Sequence, residues 1–360
     1  MKRSVQSMIA AVPVAASLFS FSLSAAAQDQ AVRATYESSA TMPTTVEGIR
    51  TFPAPPSGFN PLAASDMALA TYGLPPHPDR AVDADGYAKW ARAMTHATKR
   101  WDGELKPTKI YHQPMKPAKA PSMAAAAAAA TVSNAASVGN SSNWSGVVNT
   151  NTLKKYNPST SYYYIVSEFN VPVAQQASCD GGWDYASSWN GIDGFNSGDV
   201  LQGGVEYDAY CSGGTHSTFY SAWIEWYPFS ETRVFSVNPG DDMFVETWDT
   251  SATQGYVFLE DLTTNTSAIY SLTPPSGTSL VGNSAEYVVE RPGVNGGLAT
   301  LTYYIDDFWA LNDDFNFKGV MNVPGATGPS TWLLNMLDNN GNVVSSPTVE
   351  GKYGIFFQYQ

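Results

Sequence analysis

Phe219-Tyr220-Ser221-Ala222-Trp223-Ile224-Glu225-Trp226-Tyr227 is a run built mainly from aromatic and β-branched side chains. Such side chains suit a pleated, half-buried surface. Alternate residues of a strand face the same side, so Trp223, Glu225 and Tyr227 share one face. Similar runs recur at Tyr162–Val166, Met243–Trp248, Tyr256–Leu259, Glu286–Val289, Ala299–Ile305, Trp332–Leu337 and Tyr353–Tyr359, with Gly, Asn, Pro, Asp and Ser between them. Short strands, frequent turn residues and almost no helical periodicity predict an all-β sandwich or barrel from Asn143 onward. Roughly 220 residues suffice for one such domain with a sizeable core. No fixed-period repeat is visible.

Upstream of this region the character of the chain changes. Lys2 and Arg3 precede a mostly apolar stretch from Met8 to Leu23, followed by Ala25-Ala26-Ala27. This order predicts a cleaved export signal over residues 1–27 and a secreted product, with no membrane span. Residues 28–135 carry eleven Lys+Arg and nine Asp+Glu, a balance of 11 − 9 = +2, whereas residues 136–360 carry six and twenty-three, a balance of 6 − 23 = −17. That asymmetry marks a boundary near residue 136. The middle part is rich in Pro and Ala and is expected to be a largely irregular pro-segment, with one helix at about 81–101 bearing Trp90, Met94 and Trp101 on one face. It is too poor in apolar residues for a large core of its own, and the acidic part is the surface it would fold against. Met123 and the seven alanines after it read as an exposed connector, with processing expected between about 118 and 140. Cys179 and Cys211 both lie in the acidic part, and export predicts one disulfide between them.

Several chemistries are excluded by what the acidic part lacks. It holds a single histidine, His216, and neither a Gly-x-Ser-x-Gly elbow nor His-Glu-x-x-His. No phosphate-cradling loop is present, and a balance of −17 would repel nucleic acid. No metal and no cofactor are expected. Asp249-Thr250-Ser251 resembles one half of an aspartic dyad, but a second such loop is missing, so it reads as a strand end. Carboxylate chemistry remains. Glu286, Val288 and Glu290 alternate along one strand and share a face, and Gly203 and Gly204 beside Gln202 are expected to admit a substrate backbone.

Five segments occur in a telling order: Asn143-Trp144-Ser145-Gly146, Trp189-Asn190-Gly191-Ile192-Asp193-Gly194, Leu201-Gln202-Gly203-Gly204-Val205, Trp223-Ile224-Glu225-Trp226-Tyr227-Pro228 and Ser284-Ala285-Glu286-Tyr287-Val288-Val289-Glu290. Over about residues 143–306 the chain resembles the glutamic peptidases, or eqolisins. The resemblance implies a two-sheet antiparallel β-sandwich of the concanavalin-like jelly-roll kind, with a substrate groove on one concave face. It implies proteolysis at acid pH by a Gln/Glu dyad, which falls on Gln202 and Glu286. Trp144, Trp189, Asp193, Trp223, Glu225 and Glu290 are the expected substrate-binding residues. The sequence departs from the family pattern at Tyr287, where Trp is commoner, and at Arg291, where an acid commonly follows. Arg291 could lower the pKa of a neighbouring carboxylate.

The pair makes chemical sense. A carboxylate can take a proton from water and return it to the leaving amine. A carboxamide can donate to the oxyanion at any pH without changing charge. The expected partners are protein or peptide substrates and the chain's own pro-segment, acting as an intramolecular inhibitor whose basic residues would loosen from the acidic domain on acidification; a monomer is expected. The alternative is a lectin-like sandwich that binds or cleaves carbohydrate, since paired acids and tryptophans also serve glycosides. Gln202 separates the two, because a glycosidase does not need it.

Overall fold

The structure, a computed structural model, describes residues 25–118, 136–176, 178–305, 307–316, 321–326, 328 and 330–360. The expected export signal, apart from its last three residues, and the alanine run of the expected connector lie outside the described residues.

Alternation of apolar residues along the strands builds two antiparallel layers. The first layer runs Thr331–Leu337, Trp144–Thr150, Ser284–Glu290, Ser187–Ile192, Val200–Ser212 and Thr215–Tyr227, each strand paired antiparallel with the next. The second runs Gly354–Tyr359, Phe308–Asn316, Tyr162–Asn170, Asp242–Ser251, Gln254–Asp261 and Thr266–Leu272. Strand Val343–Glu350 pairs with one strand of each layer and joins them at an edge. Between the layers lies the main core, where Val147, Ala285, Tyr287, Leu201, Val205 and Ile224 of the first layer meet Ile165, Phe169, Met243, Val245, Val257 and Leu259 of the second. Asn190 crosses this core, donating to the Val245 carbonyl at 2.9 Å and accepting from Thr247 Oγ1 at 2.8 Å. A buried amide with both ends satisfied fixes how the layers register. Cys179 and Cys211 are disulfide-bonded, tying the loop before Trp183 to the end of the Gln202 strand.

The segment before residue 119 is more ordered than its composition predicts. It forms helices α1 (Ala25–Ser38), α2 (Asp66–Thr71) and α3 (Ala84–Met94). Helix α3 starts where Asp83 caps the Gly86 N–H and stops at Thr95, well short of Trp101. Thr95-His96-Ala97-Thr98 holds residues of modest helix propensity, and Trp101 instead donates its N–H to the Ser267 carbonyl at 2.7 Å. Trp90 and Met94 do share the buried face. They belong to a second core that mixes Val32, Tyr36, Leu69 and Trp90 with Tyr164, Phe244, Trp248, Tyr256 and Phe258 from the outer face of the second layer. The segment thus gains its core by borrowing one. Lys89 and Arg92 reinforce the contact at 2.7 and 2.9 Å from Glu168 Oε1, and Arg92 also reaches Asp242 at 2.9 Å.

Candidate active site

Strand register decides which side chains meet on the outer face of the first layer. Gly191 is paired with Gln202 on one side and Glu286 on the other, and Gln202 is paired with Glu225. Directly paired residues point the same way, so Glu286, Gly191, Gln202 and Glu225 form one row across four strands. A Cβ on Gly191 would stand 3.0 Å from the Gln202 Cβ and 2.9 Å from the Leu201 carbonyl oxygen. Glycine there leaves the space between the amide and the carboxyl group open. Two residues along, Val288, Trp189, Gly204 and Trp223 form the next row, and Glu290, Ser187, Glu206 and Ser221 the one after.

Residues 106–118 cross these rows. Lys106–Pro107 pair with Thr232–Arg233, and Ile110–Tyr111 with Gly293–Val294. His112 then enters the site. Its backbone N–H donates to Glu225 Oε2 at 3.0 Å, and its carbonyl oxygen accepts from Gln202 Nε2 at 2.7 Å. The Gln113 N–H donates to Glu290 Oε1 at 3.1 Å, and the Gln113 carbonyl accepts from Trp144 Nε1 at 3.0 Å and Asn143 Nδ2 at 3.1 Å. The imidazole lies flat on Trp223, centroids 3.8 Å apart and planes 9° apart. Its Nε2 is 3.2 Å from Glu231 and 3.4 Å from Glu206, and its Nδ1 is 3.3 Å from Glu290. All four side chains are fully buried.

Most residues singled out in the sequence therefore converge. Gln202, Trp144, Trp223, Glu225 and Glu290 touch residues 112–113 directly. Trp189 donates to Glu290 Oε2 at 3.0 Å and meets Trp144 edge-on, so it orients the carboxylate from behind. Glu286 sits in the row beside Gly191, fully buried, with neither carboxylate oxygen hydrogen-bonded to any described residue. Asp193 differs from expectation. Its carboxylate accepts from the backbone N–H groups of Val281, Gly282 and Asn283 at 2.6, 2.9 and 2.8 Å, in a turn where Asp193 itself has φ of +72°. It fastens the loop leading into the Glu286 strand, and none of these hydrogen bonds goes to residues 106–118.

Two other expectations are corrected. A Cβ on Gly203 would approach Val257 Cγ1 at 2.5 Å, so Gly203 faces the core between the layers; on Gly204 it would meet the Ser188 carbonyl oxygen at 2.2 Å, so that glycine lets Trp189 lie close across the strand. Arg291 turns away from the carboxylates and donates to the carbonyls of Ser142 at 2.6 Å and Leu337 at 3.3 Å. Four contributors lie beyond the sequence expectations. Glu206 follows Gln202 by four on the same face, and strand alternation could have found it. Asn143 opens the first of the five segments and carries no expected role there. Glu231 and His112 arrive by long-range pairing that leaves no local signal.

Burial dominates the electrostatics. It pushes the carboxyl groups of Glu225, Glu231, Glu286 and Glu290 above their ordinary range; the charge of Asp193 adds to the effect on Glu286, and contact with His112 opposes it for the other three. Burial works against the His112 cation too, yet Glu206, Glu231 and Glu290 together raise it well above its usual value. Donor atoms of His112, Glu206 and Glu231 all lie within 4.8 Å of one another, a set that could hold a small cation. Here the imidazole meets those carboxylates directly.

The groove on one sheet of the β-sandwich thus accepts an extended peptide, held through its main chain by Gln202, Glu225 and Glu290. The model of the Peptidase A4 family matches residues 142–353, well over half of the chain, and the chain belongs to that family, the glutamic peptidases. It is 28% identical to aspergillopepsin-2 of Aspergillus niger over 233 residues, covering 59% of this chain and 75% of the relative. It is 34% identical to scytalidopepsin B of Scytalidium lignicola over 124 residues, covering 34% of this chain and 44% of the relative. Among solved structures it is similar to scytalido-glutamic peptidase with a peptide-based transition-state analog, at 24% identity and a TM-score of 0.49, covering 61% of this chain and 98% of that one. The family assignment decides for peptide bonds over the carbohydrate alternative. Among the described residues no helix is long and apolar enough to cross a membrane.

Proposed function

We propose that this chain is the exported precursor of a monomeric endopeptidase that cleaves proteins at acid pH, with Gln202 as oxyanion donor and Glu286 as the general base and acid. The hydrogen bond from Gln202 Nε2 to the His112 carbonyl oxygen, 2.7 Å inside a fully buried groove, carries this reading. A donor already set on a peptide carbonyl is placed to receive the charge that develops on that oxygen when water adds to the carbon. Glu286 lies one strand beyond Gly191, roughly 10 Å from Gln202 between backbones by ordinary strand spacing. It stands on the same face, with the side-chain-free Gly191 between it and Gln202. It takes the proton from water and passes it to the departing amine.

Residues 106–118 then serve as the inhibitor in the precursor. Acid does not loosen this contact by simple charge loss. His112 binds its proton more tightly in the docked state than its ordinary value allows, because Glu206, Glu231 and Glu290 surround it. Docking takes up protons and is favoured as pH falls. Release therefore requires the segment to be cut. Acid instead opens the pH range in which the enzyme works, down to the point where Glu286 in the open, hydrated site is protonated.

The test is to acidify purified precursor and offer it denatured protein and a glucan, beside Glu286→Gln and Gln202→Ala. Protein cleavage that survives both substitutions unchanged would overturn the assignment.

A further inference from the structure

His112 is the residue of the crossing segment whose whole side chain is enclosed by the sheet, and the enclosure is specific in two ways. Trp223 supplies a flat surface parallel to the ring. Glu231 and Glu206 face one ring nitrogen and Glu290 the other. Glu206 is fully buried, with one carboxylate oxygen 3.4 Å from the ring Nε2 and Asp208 beside it. The backbone on either side is held separately, by Glu225 at the His112 N–H and Gln202 at its carbonyl. Register along the groove is thus set by the main chain, and the enclosure reads the side chain.

We propose that the enzyme prefers substrates with histidine immediately ahead of the cleaved bond, and that Glu206, Glu231, Glu290 and Trp223 form the subsite that selects it. This rests on the assignment of Gln202 as the oxyanion donor. In such a substrate, water adds to the histidine carbonyl carbon, the bond to the next nitrogen breaks, and the proton taken from water ends on that amine. Phenylalanine would stack on Trp223 but leave three carboxyl groups facing carbon. Lysine would bring the charge without the plane, and its three donors radiate from one nitrogen instead of pointing from two edges of a ring. Removing a charge-assisted hydrogen bond from a buried site weakens recognition by about ten- to hundredfold.

Nonapeptides Thr-Lys-Ile-Tyr-X-Gln-Pro-Met-Lys, the sequence of residues 108–116 with X as His, Phe or Lys, are offered at pH 5 to the acid-activated chain, with casein alongside. Products are located by mass spectrometry. Cleavage between X and Gln is expected, with kcat/KM for His about ten- to hundredfold above Phe and Lys. The His-to-Phe ratio is expected to fall severalfold in Glu206→Gln and in Glu231→Gln. Casein hydrolysis with no preference for His, or a ratio retained in both variants, overturns the subsite. If neither casein nor any peptide is cut, the peptidase reading itself fails and the subsite with it.

Discussion

Replacing His112 in a synthetic peptide of residues 106–118 isolates what the acidic enclosure contributes to the proposed self-inhibition. In the His112→Ala peptide the backbone contacts to Gln202 and Glu225 remain available. The stack on Trp223 and the three ion pairs at 3.2–3.4 Å are removed. Removing one member of a buried charged set costs about 3–5 kcal/mol. Carboxyl groups already pushed upward by burial can take up a proton and recover part of this, leaving about 2–4 kcal/mol, or roughly 30- to 700-fold in the inhibition constant at about 1.4 kcal/mol per tenfold. Initial rates of the activated enzyme on a fluorogenic peptide, titrated with each peptide as a competing ligand and read before the His112–Gln113 bond is cut, measure the ratio. The same titration tests the sign of the pH effect. His112 docks with a raised pKa, so its contribution is fully present below its ordinary value of 6.5 and fades as pH rises through the docked value. Inhibition by the parent peptide should be at least as tight at pH 4 as at pH 7. A parent peptide about tenfold weaker at pH 4, or an alanine peptide within about threefold of the parent, refutes the reasoning.

Gln202→Ala should lower kcat by about 100- to 1000-fold in steady-state assays with little change in melting temperature, as for loss of one oxyanion donor. Glu286→Gln should lower it by at least about 100-fold, and the acid limb of the wild-type pH profile should vanish from the residual rate. Gly191→Ala places a methyl group 3.0 Å from the Gln202 Cβ; kcat should fall about tenfold or more while a peptide's KM moves little, since the shift falls on the reacting groups. Asp193→Ala leaves three backbone N–H groups without their acceptor. Denaturant titration should show a loss of about 2–4 kcal/mol.

The sandwich is legible in the sequence because alternation is local: the Trp223, Glu286 and Gln202 strands each declare which residues share a face. Register is not. Whether Gln202 opposes Gly191 or its neighbour depends on pairing across strands, and a shift of one residue would have turned Gln202 into the core. Gly203 departs from expectation for the same reason, since the sequence does not say which of two adjacent glycines faces outward. A carboxylate in a glycine-rich turn looks available for a substrate, as Asp193 does in the sequence; its three backbone donors come from about ninety residues away. The enclosure around His112 draws on a segment more than a hundred residues before Glu231, and no motif spans that distance.

The cover that α1, α2 and α3 lay over Tyr164, Phe244, Trp248, Tyr256 and Phe258 bears on biosynthesis. The helices leave the ribosome before any of those aromatic strands, so the cap is waiting when the sheet forms. An aromatic sheet face is the kind of surface through which partly folded chains associate. The leading segment is therefore expected to keep that layer, opposite the groove, from associating while the sheet forms. A chain begun at residue 102, refolded from denaturant, is expected to precipitate at concentrations where the chain from residue 25 stays in solution, as followed by light scattering.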